Sequence, residues 1–143
     1  MFTKAKWIWL PEEAPDTYAD FVQSFSYTSG DATLRISCDS NYVAYINGQL
    51  AAFGQYADYP NRKIGDTVDV TPFVKEGINH LAIIVWYYGD LPGINFHTYV
   101  PGRAGLIFEV EAKERIRFSF PYSFAIAKIS ARTSPFSVRS CTA

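Results

Sequence analysis

The sequence predicts an all-β fold, an antiparallel β-sandwich or jelly roll, and three observations lead there. Short runs of Val, Ile, Phe, Tyr, Trp and Thr alternate with polar residues, Gly, Pro, Asn and Asp interrupt them at close intervals, and no window of about 12 residues holds a helical apolar period. With 48% hydrophobic, 17% aromatic and 19% charged residues, the 143-residue chain has the means to fold around a single core.

Each element follows in order. Met1 to Pro11 has a basic start and too short an apolar run, around Trp7-Ile8-Trp9, for a signal peptide; no export leader is expected, and the compartment stays open. In Ala32 to Cys38, Leu34, Ile36 and Cys38 share one face and Thr33, Arg35 and Ser37 the other, which predicts a half-buried strand. Asp39-Ser40-Asn41 reads as a turn, and Tyr42 to Ile46 resumes the alternation. Asn47-Gly48 is a hairpin signal, because both residues tolerate the positive φ of a type I′ turn. Gln49 to Phe53 is then the returning strand, ended by Gly54. Gln55 to Asp66 has no period and reads as a long surface loop. Thr67 to Val70 is a brief strand, and Thr71-Pro72 followed by Gly77 predicts one helical turn over Phe73 to Glu76. Ile78 to Tyr88, the most apolar stretch, is expected as a central strand buried on both faces for much of its length. Gly89 to Gly102 reads as a second long loop, and Ala104 to Glu111 as a strand with Leu106, Phe108 and Val110 inward.

Composition also excludes function classes. A formal charge of −1 gives no field to draw the chain to nucleic acid or to an anionic membrane. Leu81 to Tyr88 is far shorter than the ~20 apolar residues of a membrane-spanning helix. Cys38 and Cys141 show neither metal-site nor disulfide spacing; Cys38 reads as a small core residue. All 14 acidic residues lie at or before Glu114, whereas Arg115 to Ala143 is basic, Ser-rich and free of acids. The expected division is therefore a sandwich over residues 1–114 and an atypical tail over 115–143.

Several motifs together resemble a known family. Trp7-Ile-Trp9, Asp39 to Gly48, Asp69 to Asn79, Val85 to Gly89 and Ala104-Gly-Leu106 occur in the order and spacing of the N-terminal β-sandwich of bacterial α-L-rhamnosidases. The stretch around Tyr45-Ile-Asn-Gly48 is also similar to the galactose-binding-type jelly-roll domains of β-galactosidase-like hydrolases. The resemblance implies an accessory module of an inverting glycoside hydrolase whose two catalytic carboxylates sit on a separate α/α barrel. Past Glu114 the family continues with a Thr-Asp-x-x-Trp-like strand that is not found here, so the tail reads either as a basic, Ser-rich extension or as a non-native continuation, from a truncated or frame-shifted gene or as a foreign tail on a fragment. Asn47-Gly48, Thr71-Pro72, Gly77 and Asn79 read as residues of the fold rather than of an activity.

The residues themselves point to no catalytic centre. Glu109 and Glu111, two apart on one strand face, are expected to solvate an edge strand. His80 and His97 have no clustered partner for a metal, and no phosphate loop, dinucleotide fingerprint or nucleophile elbow occurs. No cofactor is expected. If a glycan binds, the place is the loop that follows Trp86, where aromatic rings and hydrogen-bonding side chains concentrate: Tyr88, Asp90, Asn95, His97 and Arg103, with Tyr56 to Arg62 as the facing wall. The expected partners are carbohydrate or an absent catalytic domain; self-association through exposed aromatic surface is the third reading, and an autonomous carbohydrate-binding module the second.

Overall fold

The computed structural model describes residues 2–55, 59–90 and 99–112. Seven strands make two sheets: β1 (Thr17–Tyr27), β6 (Gly77–Tyr87), β3 (Asn41–Ile46) and β4 (Gln49–Gly54) in that spatial order, and β5 (Asp66–Asp69), β2 (Ala32–Asp39) and β7 (Gly105–Ala112) in the other. Every pairing is antiparallel. The fold is the expected β-sandwich. The tail from Arg115 onward lies outside the described residues.

Alternation builds the core. Leu34, Ile36 and Cys38 of β2 face Ala44 and Ile46 of β3, Leu81, Ile83 and Val85 of β6, and Ala19 and Phe21 of β1, all buried, with Leu106 and Val70 closing the interior. Burial of one such aliphatic side chain contributes about 1.5–3 kcal/mol. Cys38 is fully buried in this core, as a small core residue. Asn47 (φ 52°) and Gly48 (φ +81°) form the hairpin turn between β3 and β4, where the positive φ at both positions is the reason for the Asn-Gly pair.

Three expectations are corrected, and one strand is added. The helical turn is a 3₁₀ turn over Thr71–Phe73, and the Thr71 hydroxyl does not cap it; instead Thr71 Oγ1 accepts the Ala32 amide hydrogen at 2.9 Å, tying the turn to β2. β6 is central but buried on one face only, with Ile78 and Ile84 exposed on the other. The longest unforeseen element is β1, an eleven-residue strand paired along its whole length with β6. Finally, Asp39-Ser40-Asn41, read as a turn, is the crossing from one sheet to the other, with Asp39 and Ser40 buried between β2 and β3.

Candidate functional site

The two long loops leave the same end of the sandwich. Antiparallel pairing of Thr17 with Tyr87 and of Asn41 with Trp86 brings the end of β6 to the starts of β1 and β3, and pairing of Asp39 with Gly105 brings the end of β2 to the start of β7. The chain before and after the loops therefore converges on the Asp39–Ser40 crossover.

Asp39 organises this end. Its fully buried carboxylate accepts from Lys63 Nζ at 2.8 Å, from the Tyr99 hydroxyl at 2.7 Å and from the Ser40 hydroxyl at 3.2 Å. Lys63 belongs to the first loop and Tyr99 to the second, so one carboxylate fastens both. The hydroxyl groups pass the fastening on: Ser40 Oγ accepts the Tyr88 amide at 3.0 Å, and Tyr99 Oη accepts the Gly89 amide at 3.2 Å. A Cβ on Gly102 would lie 2.6 Å from Asp39 Oδ2, so only glycine lets the second loop pass this close. Burial, with a smaller contribution from the Asp39 carboxylate, raises the Tyr99 phenol above its ordinary value, and it stays a donor.

Further bonds hold the loop bases. Gln55 Oε1 accepts the Cys38 amide at 2.8 Å, and Ser37 Oγ donates to the Ile64 carbonyl at 2.6 Å, which secures the first loop on β2. The Tyr42 hydroxyl of β3 donates to Asp66 of β5 at 2.8 Å, a bond between the two sheets. On the other side, Tyr87 Oη donates to the Gly102 carbonyl at 2.8 Å, and Glu13 Oε1 accepts the Ala104 amide at 3.0 Å. Burial first, then the Glu13 and Asp39 carboxylates, push the Tyr87 phenol up to about 12.

On this base the sequence-derived site residues separate. Tyr88 is buried, edge-on to Trp86 at 5.3 Å and to Tyr99 at 5.4 Å, so its ring supports the loop instead of facing solvent. The physical reason is its register: it follows the last paired residue of β6 and turns into the gap that Tyr99 closes. Asp90, two residues on, is exposed. Arg103 is almost fully exposed, its Nε 3.9 Å from Glu13 Oε2, a separation that holds it loosely. Asn95, His97 and Tyr56 lie outside the described residues. The side chains that sequence reasoning missed are Asp39 and Lys63, since an Asp-Ser-Asn triplet carries the signature of a solvated turn.

Glycoside hydrolysis needs opposed carboxyls, one of them with a raised pKa. Glu109 is set the other way: burial would raise its carboxyl, but bonds from the Thr3 hydroxyl and amide, helped by Arg35, outweigh it and hold the group below the usual range. Glu111 pairs with Arg35 at 2.9 Å on the outer face of an edge strand. Among the described residues no group of three or more His, Cys, Asp or Glu side chains forms a candidate metal site.

The fold is that of a β-sandwich domain with its two long loops based at one end, and comparison with solved structures gives the particular relatives. The chain is similar to a GH78-family rhamnosidase of Bacillus sp. GL1, with 31% identity and a TM-score of 0.69 over 79% of this chain and 12% of that one. The same fold occurs in an α-L-rhamnosidase from Aspergillus terreus (23% identity, TM-score 0.56, 70% of this chain and 13% of that one) and in the Streptomyces avermitilis α-L-rhamnosidase crystallised with L-rhamnose (24% identity, TM-score 0.51, 73% and 10%). The rhamnosidase resemblance of the motifs is thus matched by the structural neighbours, and the chain spans only about a tenth of their length. No family model and no curated protein matches the chain.

Proposed function

We propose that the chain is a non-catalytic β-sandwich module of an α-L-rhamnosidase-type glycosidase, one that supports a glycan cleft from its loop end. The observation that carries this reading is the coverage itself: 31% identity extends over 79% of the chain yet accounts for 12% of the Bacillus rhamnosidase. In this reading Asp90, Asn95, His97 and Arg103 supply hydrogen bonds to sugar hydroxyls. Tyr88 and the Asp39–Lys63–Tyr99 set hold the loops that present them, which reduces the ordering cost of binding. The purified chain is expected to release no nitrophenol from an aryl α-L-rhamnoside; turnover that disappears on Glu109→Gln or Glu111→Gln substitution would overturn the non-catalytic reading.

The second reading, an autonomous carbohydrate-binding module, is favoured by the way the loop bases are fastened within this chain alone. Calorimetry of the isolated chain against rhamnose-containing oligosaccharides separates the two. Binding that weakens in Asp90→Ala and Arg103→Ala, with melting temperatures unchanged, supports an autonomous module with the site at this end. Binding unaffected by either variant moves the site elsewhere, and absence of binding leaves the supporting role.

A further inference from the structure

The outer face of the four-stranded sheet is unusual for a surface. Register stacks its side chains in rows across the strands: Tyr18 beside Trp86, then Ile84, Val43 and Phe53 in line, then Val22, Ala82, Tyr45 and Leu50. Five of these residues are between 38% and 75% exposed, Phe53 most of all. Among the described outward positions of the four strands there is no Lys or Arg, and the one carboxylate, Asp20, lies on the edge strand β1. Beside Phe53, a shallow hollow of about 320 Å³ lined by Leu50, Ala51, Ala52, Phe53 and Val68 extends the apolar surface toward β5.

We propose that this face is a self-association surface on which a second copy of the chain stacks, sheet against sheet. The proposal does not depend on the rhamnosidase reading. With ~150–250 Å² for a whole aromatic side chain, Tyr18, Val22, Leu50, Phe53, Ile84 and Trp86 together expose roughly 500 Å², at the upper end of the largest apolar patch on an ordinary monomer. Two copies would cover about 1,000 Å², the area that a specific interface has to reach. The pairing is therefore weak and concentration-dependent. The near absence of charge removes like-charge repulsion from the centre of a face that must meet its own copy, and twisted sheets stack on one another at about 10 Å with strands nearly aligned. A sugar is the poorer occupant. Tyr18 and Trp86 are stacked on each other at 5.8 Å and 7°, so each covers part of a ring face that a sugar would need. The indole N–H is already donated to Asp16 at 2.9 Å.

Sedimentation velocity of the full chain with a reductant present, from micromolar to near-millimolar concentration, tests this. A reversible monomer–dimer equilibrium is expected, weakened at least tenfold in Phe53→Asp and in Val22→Lys. These two substitutions lie on different edge strands, and far-ultraviolet dichroism checks that each variant is folded. A wild-type chain that stays monomeric throughout overturns the proposal and assigns the face to another partner. A dimer undiminished in both folded variants also overturns it, in favour of pairing through strand edges.

Discussion

Asp39 meets three donors that reach it from different parts of the chain: Ser40 from its own crossover, Lys63 from the first loop and Tyr99 from the second. Such a carboxylate is stable in the interior only while its partners remain. Lys63→Met is expected to cost about 3–5 kcal/mol, because it leaves a buried charge with hydroxyl donors alone. Asp39→Asn, which removes the charge that the Lys63 ammonium group pairs with, should also destabilise, and the double variant should lose less than the two combined. Equilibrium urea unfolding of the four proteins measures this; simple additivity would show that the two side chains do not act as a pair. None of it was legible in the sequence. Asp beside Ser and Asn is the ordinary composition of a turn, and nothing local announces that a lysine and a tyrosine from two distant loops converge there.

Among elements, the connection from the 3₁₀ turn to β6 shows what local chemistry does reveal. Asn79, a residue of the fold by its place after Gly77, is fully buried: Oδ1 accepts from the Lys75 amide at 2.9 Å and from Asn47 Nδ2 at 2.8 Å, while Nδ2 donates to the carbonyls of Lys75 at 2.7 Å and Gly77 at 3.1 Å. The Asn47-Gly48 hairpin and the entry to β6 thus share one side chain. Asn79→Ala should destabilise by about 2–4 kcal/mol, since buried backbone groups lose their partners. Ile78→Ala, at an exposed neighbour, should stay within about 0.5 kcal/mol. Thermal unfolding of the two variants distinguishes them, and equal losses would refute the clamp. The differences at β1 and β6 have one cause. Tyr18 and Val22 on β1 and Ile78, Ile84 and Trp86 on β6 put apolar residues on the outer face as well as the inner, so β1 showed no clean alternation and β6 looked buried on both sides. Strands with a polar outer face, such as β2 and β7, were found where expected.

For the whole molecule, the buried phenols set an alkaline limit. Tyr42, Tyr87 and Tyr99 all have raised pKa values, burial being the largest cause in each, and Tyr87 reaches about 12. The unfolded chain loses these protons near pH 10, while the folded chain keeps them. The stability they confer is therefore complete below pH 10 and is lost as pH rises toward 12. For Tyr87 this is on the order of 2 kcal/mol. Urea midpoints should fall steeply between pH 9.5 and 11.5, and Tyr87→Phe, although less stable at neutral pH, should show a shallower fall. Parallel profiles for the two proteins would mean that Tyr87 is not responsible.

Strand order also dictates when the chain can begin to hold itself together during synthesis. Of the five strand pairings among the described residues, only the β3–β4 hairpin joins neighbours in sequence; β1 must wait for β6, with Tyr27 meeting Gly77 and Thr17 meeting Tyr87, and β2 waits first for β5 and then for β7, with Ala32 meeting Ala112. A nascent chain emerging at roughly 5–20 residues per second would carry β1 unpaired for several seconds, its apolar side chains uncovered. Loop closure has to precede most of the native contacts, so the domain gains little from folding piecemeal and forms late, in one concerted step.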